Sequence, residues 1–156
     1  MSEKAIQDFY PENTSYCYGC GRLNEAGLHI LSFIDGDETI CRYEPKPYHI
    51  AIPGYVYGGL LASLIDCHST GSASAAVYRA ESRPMDSDPP VRFLTASLRV
   101  DYLKPTPLGK TLELRSRIKE HKGRKVVVET ELSVEGVVCV RGEVVTVQAP
   151  DSLLAD

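Results

Sequence analysis

The sequence predicts an α+β fold in which an antiparallel β-sheet packs against one long helix. Residues 57–78 are almost uncharged and place apolar residues at helical spacing, whereas the chain beyond residue 92 alternates apolar and polar side chains between short turns. Tight turns join strands antiparallel, so this later part forms a meander that the helix can cover. A chain of 156 residues is long enough to bury such a core as one domain.

Composition divides the chain into three segments. The polar residues 1–16 predict a loosely held N-terminal arm, residues 17–150 a single domain, and residues 151–156 a C-terminal tail. The formal net charge of -4 argues against a nucleic-acid binder held by phosphate contacts. The sequence shows neither a secretory signal nor an apolar run that suits a bilayer, so we expect a cytoplasmic protein that binds no membrane.

Two short strands and a shaped loop precede the helix. LHILSF, residues 28–33, predicts the first strand, D-G-D-E a turn, and TICRYEP, residues 39–45, the second strand. Three prolines and a glycine make residues 45–56 an irregular loop. The small side chains of residues 57–78 then predict a central helix that other elements approach closely.

The remaining chain is a loop followed by four strands. Residues 79–92 are charged and rich in proline, which is typical of a loop or lid. Four alternating stretches follow, with tight turns between the last three. They are FLTASLRVDYL, GKTLELRSRIKEH, KVVVETELSV and VVCVRGEVVTVQ.

The five cysteines include one closely spaced pair, Cys17 and Cys20 in C-Y-G-C, and three that stand singly in apolar settings. A zinc site needs about four ligands, and no second pair follows. We therefore interpret the cysteines as reduced thiols in a tight turn and expect no metal, with a metal or redox role for the pair as the alternative.

This order of elements resembles the hotdog fold, in which a curved antiparallel sheet wraps one long helix. More narrowly, residues 17–148 resemble the acyl-CoA thioesterases of the phenylacetate-pathway and 4-hydroxybenzoyl-CoA thioesterase superfamily. Four stretches carry the resemblance: CYGCGRLNEAGLHI, PGYVYGGLLASLID, SLRVDYLKPTPLGKTLEL and GRKVVVETELSVEGVVCVRGEVV. Binding proteins and dehydratases share this fold, so function must be argued from the site.

The resemblance implies that Asp66, the only formal charge between Lys46 and Arg79, is the general base or nucleophile of thioester hydrolysis. It also implies that the Gly58 amide, at the start of the helix, polarises the thioester carbonyl, and that Thr95 orients the attacking water. The structural alternatives are an Asp66 bonded to backbone amides or to Ser69 and Thr70, a glycine pair that only makes a tight turn and close packing, and a threonine that only suits a strand.

The sequence departs from the family pattern just before the glycines, where Tyr57 replaces the usual histidine. His49 either supplies a replacement polar group in catalysis or is a half-exposed loop histidine. Further candidate contacts to substrate are of two kinds: three residues in or next to the helix, and four basic residues that could hold the phosphates of coenzyme A. They are Tyr57, Gly59, Thr70, Arg99, Lys104, Lys122 and Arg124.

The resemblance also implies a homodimer or homotetramer whose active site lies between subunits, with Gly58 and Asp66 of one site on different chains. Acyl-CoA is then the substrate, and coenzyme A enters only as part of substrate and product. Two other functions stay open: an enoyl-CoA hydratase or dehydratase that pairs Asp66 with His49, and an acyl-CoA-binding or sensing protein without turnover. His68 lies about 200° around the helix from Asp66, which favours a core histidine.

Overall fold

The computed structural model describes residues 1–154 and contains one six-stranded antiparallel sheet around one long helix. The elements are β1 (Phe33–Asp35), β2 (Glu38–Tyr43), α1 (Gly58–Ala80), β3 (Phe93–Tyr102), β4 (Leu112–Lys122), β5 (Lys125–Val134), β6 (Val137–Gln148) and the short α2 (Asp151–Leu154). This confirms the hotdog arrangement that the sequence predicts. Across the described residues, no helix is both long and apolar enough to cross a membrane.

The strands run in the order β1-β2-β4-β5-β6-β3. The last three in sequence form the predicted meander, whereas β3 pairs with β6 and lies at the end of the sheet. Its other side has no partner strand within residues 1–154. The position of β3 matters for the site because it brings one sheet edge beside α1.

The core lies between α1 and the sheet. Leu64 and Ile65 on the helix, and Leu114 and Leu132 on the sheet, are completely buried. Gly142 on β6 allows the two layers to approach, because a Cβ atom there would lie 2.5 Å from Cγ2 of Ile65. On the helix, a Cβ atom at Gly71 would lie 3.1 Å from Nε2 of Gln7, so a small residue there lets the N-terminal segment come close, as the sequence predicts.

The N-terminal segment is not a loosely held arm, and that expectation was wrong. Residues 6–9 form a short 3-10 helix, and Ile6, Gln7 and Tyr10 are buried. The Gln7 side chain bonds Ser32 through both its oxygen and its nitrogen. Two apolar side chains and a buried amide therefore join this segment to the core. The expected tail at residues 151–156 contains α2, and its last two residues lie outside the described part.

The first strand is shorter than expected and begins later. Of LHILSF only Phe33 belongs to β1. The backbone N–H groups of Leu28 and Ile30 instead donate to the carbonyls of Tyr18 and Gly19, in the C-Y-G-C turn. The apolar alternation of this stretch thus reflects packing against the turn and not a place in the sheet. The spacing of apolar residues alone does not distinguish these two cases.

Candidate active site

Asp66 lies near the middle of α1, and its carboxylate accepts a hydrogen bond from the Thr95 hydroxyl on β3. The carboxylate is half-buried, while Thr95 is exposed along the free sheet edge. Ser69 and Thr70, which the alternative interpretation offered as partners, bond the Thr130 hydroxyl and the Cys67 carbonyl instead. Asp66 and Thr95 are therefore brought together as a pair that opens at the sheet edge.

A β-bulge brings a second β3 side chain to the same helix. The pairing of β3 with β6 shifts between Thr95 and Ser97, so one extra residue is inserted there. Side chains alternate faces along a strand, and Thr95 and Tyr102 would otherwise point to opposite faces. With the bulge both contact α1: Thr95 bonds Asp66, and the Tyr102 hydroxyl donates to the Gly58 carbonyl at 2.7 Å.

The two glycines at the start of α1 have different surroundings. A Cβ atom on Gly59 would lie 2.4 Å from the ring of Tyr57, so this glycine makes room for the tyrosine to fold over the helix start. A Cβ atom on Gly58 would lie 3.4 Å from Tyr102, an ordinary contact. No backbone hydrogen bond of residues 1–154 uses the N–H of either glycine, as expected for the first turn of a helix.

Tyr102 is a site residue that sequence reasoning missed. Because it bonds the Gly58 carbonyl, it fixes the planar peptide that also carries the Gly59 N–H. Partial burial, and then Tyr57, raise the pKa of Tyr102, so the phenol remains a neutral donor. Together with Gly58, Lys104 and apolar residues it lines a groove of about 400 Å³ beside the helix start. The bulge alone places the Tyr102 side chain on the same face of β3 as that of Thr95. A bulge leaves no clear signal in the sequence.

Gly58 and Asp66 are separated along one helix. Eight residues correspond to about 12 Å of rise and a rotation of about 80°. A carbonyl oxygen needs its donors at about 3 Å, and the attacking group must be equally close to the adjacent carbon. The Gly58 amide and the Asp66 carboxylate of one chain therefore cannot both act on a single thioester carbonyl.

His49 lies within the loop before α1 and interacts mainly with that loop. Its Nδ1 accepts the Lys46 backbone N–H at 2.9 Å, and its ring contacts those of Tyr43 and Tyr48. Partial burial and the Lys46 charge lower its pKa. Its carbonyl accepts the Tyr57 N–H at 2.9 Å, so the loop is connected to the helix start through backbone. These contacts favour the half-exposed loop histidine, and its catalytic role stays a prediction.

The basic candidates occupy different ends and faces of the sheet. Lys104 lines the groove beside Gly58. Arg124 and Lys122 lie at the β4–β5 turn, where the Arg124 guanidinium donates to the Gln148 carbonyl, close to the start of β3. Arg99 lines a depression on the face of the sheet that points away from the helix, and it pairs with Asp101 at 3.4 Å. Arg99 is thus on the other face of the sheet from Asp66.

His68 and Thr70 point into the protein rather than to the site. His68 is completely buried, with Nδ1 2.8 Å from the Ser32 hydroxyl and Nε2 3.4 Å from that of Thr39. Burial lowers its pKa to about 4, so the ring is neutral. This confirms the prediction of a core histidine. Thr70 is only 8% exposed and bonds its own helix, so its position does not suit a substrate contact in a single chain.

Two larger depressions contain neither Asp66 nor Gly58. One, of about 840 Å³, lies between the C-terminal half of α1 and strands β2 and β4 and is mainly apolar. The other, of about 630 Å³, lies on the outer face of the sheet, where Arg117 pairs with Glu129 and Arg141 with Glu131. These ion pairs are exposed and contribute little to stability individually.

The cysteines are not arranged as expected. Cys67, predicted to stand singly, lies against the C-Y-G-C turn, with its Sγ 3.9 Å from that of Cys17. The sulfur atoms of Cys17, Cys20 and Cys67 all lie within 4.8 Å of one another. Sequence reasoning missed this cluster because its third member is far away in the chain.

Comparison with known proteins shows the family and the fold of this chain. A sequence model of the Thioesterase superfamily matches residues 53–141. Among curated proteins, the acyl-coenzyme A thioesterase THEM4 of Xenopus laevis is 33% identical over 93 residues, which cover 60% of this chain and 36% of that protein. The match therefore spans about a third of that relative's length. The part of this chain that the family model matches includes the helix start, Asp66 and β3.

Solved structures show the same architecture. A thioesterase superfamily protein from Shewanella loihica PV-4 is 48% identical, with a TM-score of 0.68 over 90% of this chain and 100% of that chain. The PaaI protein from the phenylacetic acid degradation operon of E. coli has a TM-score of 0.64 over 79% of this chain and 81% of that one. Its identity is 14%, so this second likeness shows the fold alone.

Proposed function

Because this chain belongs to the thioesterase superfamily, we propose that it hydrolyses acyl-CoA thioesters to the free acid and coenzyme A, with Asp66 as the general base or nucleophile. The observation that carries the proposal is the Asp66–Thr95 hydrogen bond at the open sheet edge. A carboxylate beside a hydroxyl can hold and activate one water molecule. Thioester hydrolysis by family relatives, at modest identity, supports the same chemistry.

In the proposed reaction the Asp66 carboxylate removes a proton from water, and the water oxygen bonds to the thioester carbon. The carbonyl electron pair moves to its oxygen, where the Gly58 N–H of a second chain and the dipole of that chain's helix stabilise the negative charge. Collapse of this intermediate breaks the C–S bond, and the thiolate of coenzyme A receives the proton that Asp66 took up. If Asp66 attacks directly, an anhydride forms first and water then cleaves it, with the same products.

We propose that each site is formed by two chains joined through β3. The strand is ten residues long and exposes Leu94, Leu98 and Tyr102 beside its unpaired edge, features that suit pairing with another strand. A second copy of β3, paired antiparallel about a twofold axis, would bring the Thr95 end of one strand to the Tyr102 end of the other. Asp66 of one chain would then approach Gly58 of its partner.

The same pairing offers a binding surface for coenzyme A. The β4–β5 turn with Lys122 and Arg124 lies at the Thr95 end of the sheet, and Lys104 lies at the Tyr102 end. An antiparallel pair of β3 strands would bring these two ends together. Positive side chains from both chains would then flank one cleft, as the phosphates of coenzyme A require.

The test is a turnover assay on a panel of short, long and aromatic acyl-CoAs. We expect the wild type to release coenzyme A from at least one of them, and Asp66→Asn to lower kcat/KM by at least about 100-fold, because a general base contributes about that much. Asp86→Asn, which neutralises an exposed acid in the loop after α1, is the matched control and should retain activity.

Three results would contradict the proposal. Full activity of Asp66→Asn would remove the carboxylate from the mechanism. Tight binding of acyl-CoA without turnover by the wild type would favour a binding or sensing protein. Addition of water to an enoyl-CoA, without thioester cleavage, would favour a hydratase.

A further inference from the structure

The thiols of Cys17, Cys20 and Cys67 form a cluster that the proposed hydrolysis does not use. Cys17 and Cys20 come from the turn after the N-terminal segment, and Cys67 follows Asp66 on α1. The three sulfur atoms lie within 4.8 Å of one another, and those of Cys17 and Cys67 are 3.9 Å apart. Sulfur atoms bound to one zinc ion at about 2.3 Å lie about 3.8 Å from each other. The observed spacing suits a shared ion.

Both glycines of C-Y-G-C-G are required by the geometry of this cluster. A Cβ atom on Gly19 would lie 2.3 Å from the Cys67 sulfur, so any larger residue would displace that thiol. A Cβ atom on Gly21 would lie 2.4 Å from the Cys17 nitrogen and 2.5 Å from the Ser15 carbonyl oxygen. The turn is thus built so that a sulfur from the helix can approach it closely.

The surroundings favour negative charge on one of the three sulfurs, that of Cys17, whereas the side-chain hydrogen bond with Cys17 raises the pKa of Cys20 to about 11 and raises the pKa of Cys67 above its usual range. The Cys20 and Cys67 thiols, and after them the backbone N–H groups of Cys20 and Gly19, hold the pKa of Cys17 well below its usual range. The positive charge of Arg92 opposes the rise in the pKa of Cys20, as the smallest of the influences on it, and the guanidinium lies 3.7 Å from the ring centroid of the buried Tyr10. Its Nη1 atom is buried with no hydrogen-bond partner among the described residues. One cation is therefore already present to offset excess negative charge.

We propose that Cys17, Cys20 and Cys67 form a three-thiolate site for a thiophilic d¹⁰ cation, of which Zn²⁺ is the probe. Three thiolates and one divalent ion have a net charge of one negative unit, which Arg92 offsets. On binding, each thiol that is still protonated releases its proton to solvent, and no electron is transferred. Cys20 and Cys67 are buried, whereas Cys17 is exposed, so a fourth ligand can approach from the side of Cys17.

The site would connect two parts of the fold. Two ligands belong to the turn that also holds residues 28–30, and the third is the neighbour of Asp66 on α1. An ion bound by all three would therefore hold the N-terminal part of the chain against the helix that carries the catalytic carboxylate. The site stands apart from the proposed hydrolysis, since none of its ligands needs to contact acyl-CoA.

The test measures metal content without any acyl-CoA. Reduced protein is loaded with Zn²⁺, passed through a desalting column and analysed by mass spectrometry for metal per chain. Loading with Co²⁺ in parallel gives an absorption spectrum that reports thiolate ligands. We expect one ion per chain in the wild type, thiolate-to-cobalt charge-transfer absorption, and loss of both signals in Cys17→Ser and Cys67→Ser.

Cys139→Ser is the matched control, because it removes a thiol outside the cluster whose hydrogen bond to the Val137 carbonyl a serine can keep. It should bind metal like the wild type. Circular dichroism of each variant separates loss of the site from loss of the fold, and chelator-treated wild type should melt at a lower temperature than the loaded form. A folded, reduced wild type with no retained Zn²⁺ or Co²⁺ would overturn the proposal. So would unchanged binding by folded Cys67→Ser, or oxidation of the cluster to a disulfide in a protein that binds neither ion when reduced.

Discussion

At the scale of single residues, the paired glycines at the start of α1 meet two separate requirements. Gly59 gives space to the Tyr57 ring, which would otherwise overlap a side chain at that position. Gly58 has room for a methyl group, so packing does not explain it. What Gly58 offers is an N–H at the first helical position that no backbone carbonyl of residues 1–154 accepts. In the proposed mechanism this N–H is the donor to the thioester oxygen.

This difference makes Gly58→Pro an informative substitution. Proline is well tolerated at the first position of a helix, and Tyr57 already has the extended backbone that a residue before proline needs (φ -59, ψ 128). The change therefore removes the N–H and little else. We expect kcat/KM to fall by about 100- to 1000-fold, as when one oxyanion donor is deleted elsewhere. Steady-state kinetics and the melting temperature measure the two effects separately.

Gly58→Ala is the paired control. Like proline, alanine adds a Cβ atom next to Tyr102, but it keeps the N–H. This variant should therefore retain most of the activity. Equal activity of the proline and alanine variants, with equal stability, would mean that the Gly58 amide does not contact the reacting carbonyl.

At the scale of elements, the distance between α1 and the sheet depends on Gly142. We expect Gly142→Ala to lower the free energy of unfolding by about 1–3 kcal/mol, because the new methyl group would overlap Cγ2 of Ile65 and the core must shift. Urea denaturation measures this loss. Ile65→Leu removes the branch at Cβ, so the double variant should recover part of the stability. A loss in the double variant equal to the sum of the single changes would show that the two side chains do not compete for space.

The spacing of apolar residues predicted the helix and most of the strands well but did not predict the bulge. The helix and the last four strands were predicted closely, because each has a long, regular pattern that its burial confirms: α1 begins at Gly58 instead of residue 57 and β6 covers residues 137–148 as expected. The bulge at Thr95 could not be predicted, since one inserted residue changes the face of a strand without changing its composition. Tyr102 was missed for that reason.

The sequence predicted candidate residues of the site by type and spacing, and the structure places some of these residues together and others apart. Asp66 and Thr95 were each candidates, and the structure brings them into contact. Thr70 and Arg99 were candidates by helical spacing and by charge, but one is buried and the other lies on the outer face of the sheet. Spacing and residue type describe what a side chain can do. They do not specify the face on which a long-range fold presents it.

At the scale of the whole molecule, the separation of Gly58 and Asp66 predicts complementation between inactive variants. Gly58→Pro and Asp66→Asn should each be inactive alone. Mixed dimers of the two would contain one intact site if each site takes its amide from one chain and its carboxylate from the other. With random exchange of subunits, activity should recover to about a quarter of the wild-type value.

The measurement is a hydrolysis assay on co-refolded subunits, with each variant co-refolded with itself as the control. No recovery in mixtures that contain mixed dimers, as shown by mass spectrometry of tagged subunits, would place both groups of each site on one chain. That result would also require a helix start that moves on substrate binding, because about 12 Å separates the two groups along α1.

The buried Gln7 has a consequence for the order in which the chain can fold. Its hydrogen-bond partner Ser32 is also the partner of His68. The series of hydrogen bonds from Gln7 through Ser32 to His68 is therefore complete only when the helix has been synthesised. Until then Ile6 and Tyr10 have no core to enter, although they are synthesised before the helix. Residues 6–10 are therefore captured late, by contacts of long sequence separation that slow folding. The apolar side chains of Ile6 and Tyr10 therefore stay exposed on the growing chain at least until α1 has been synthesised.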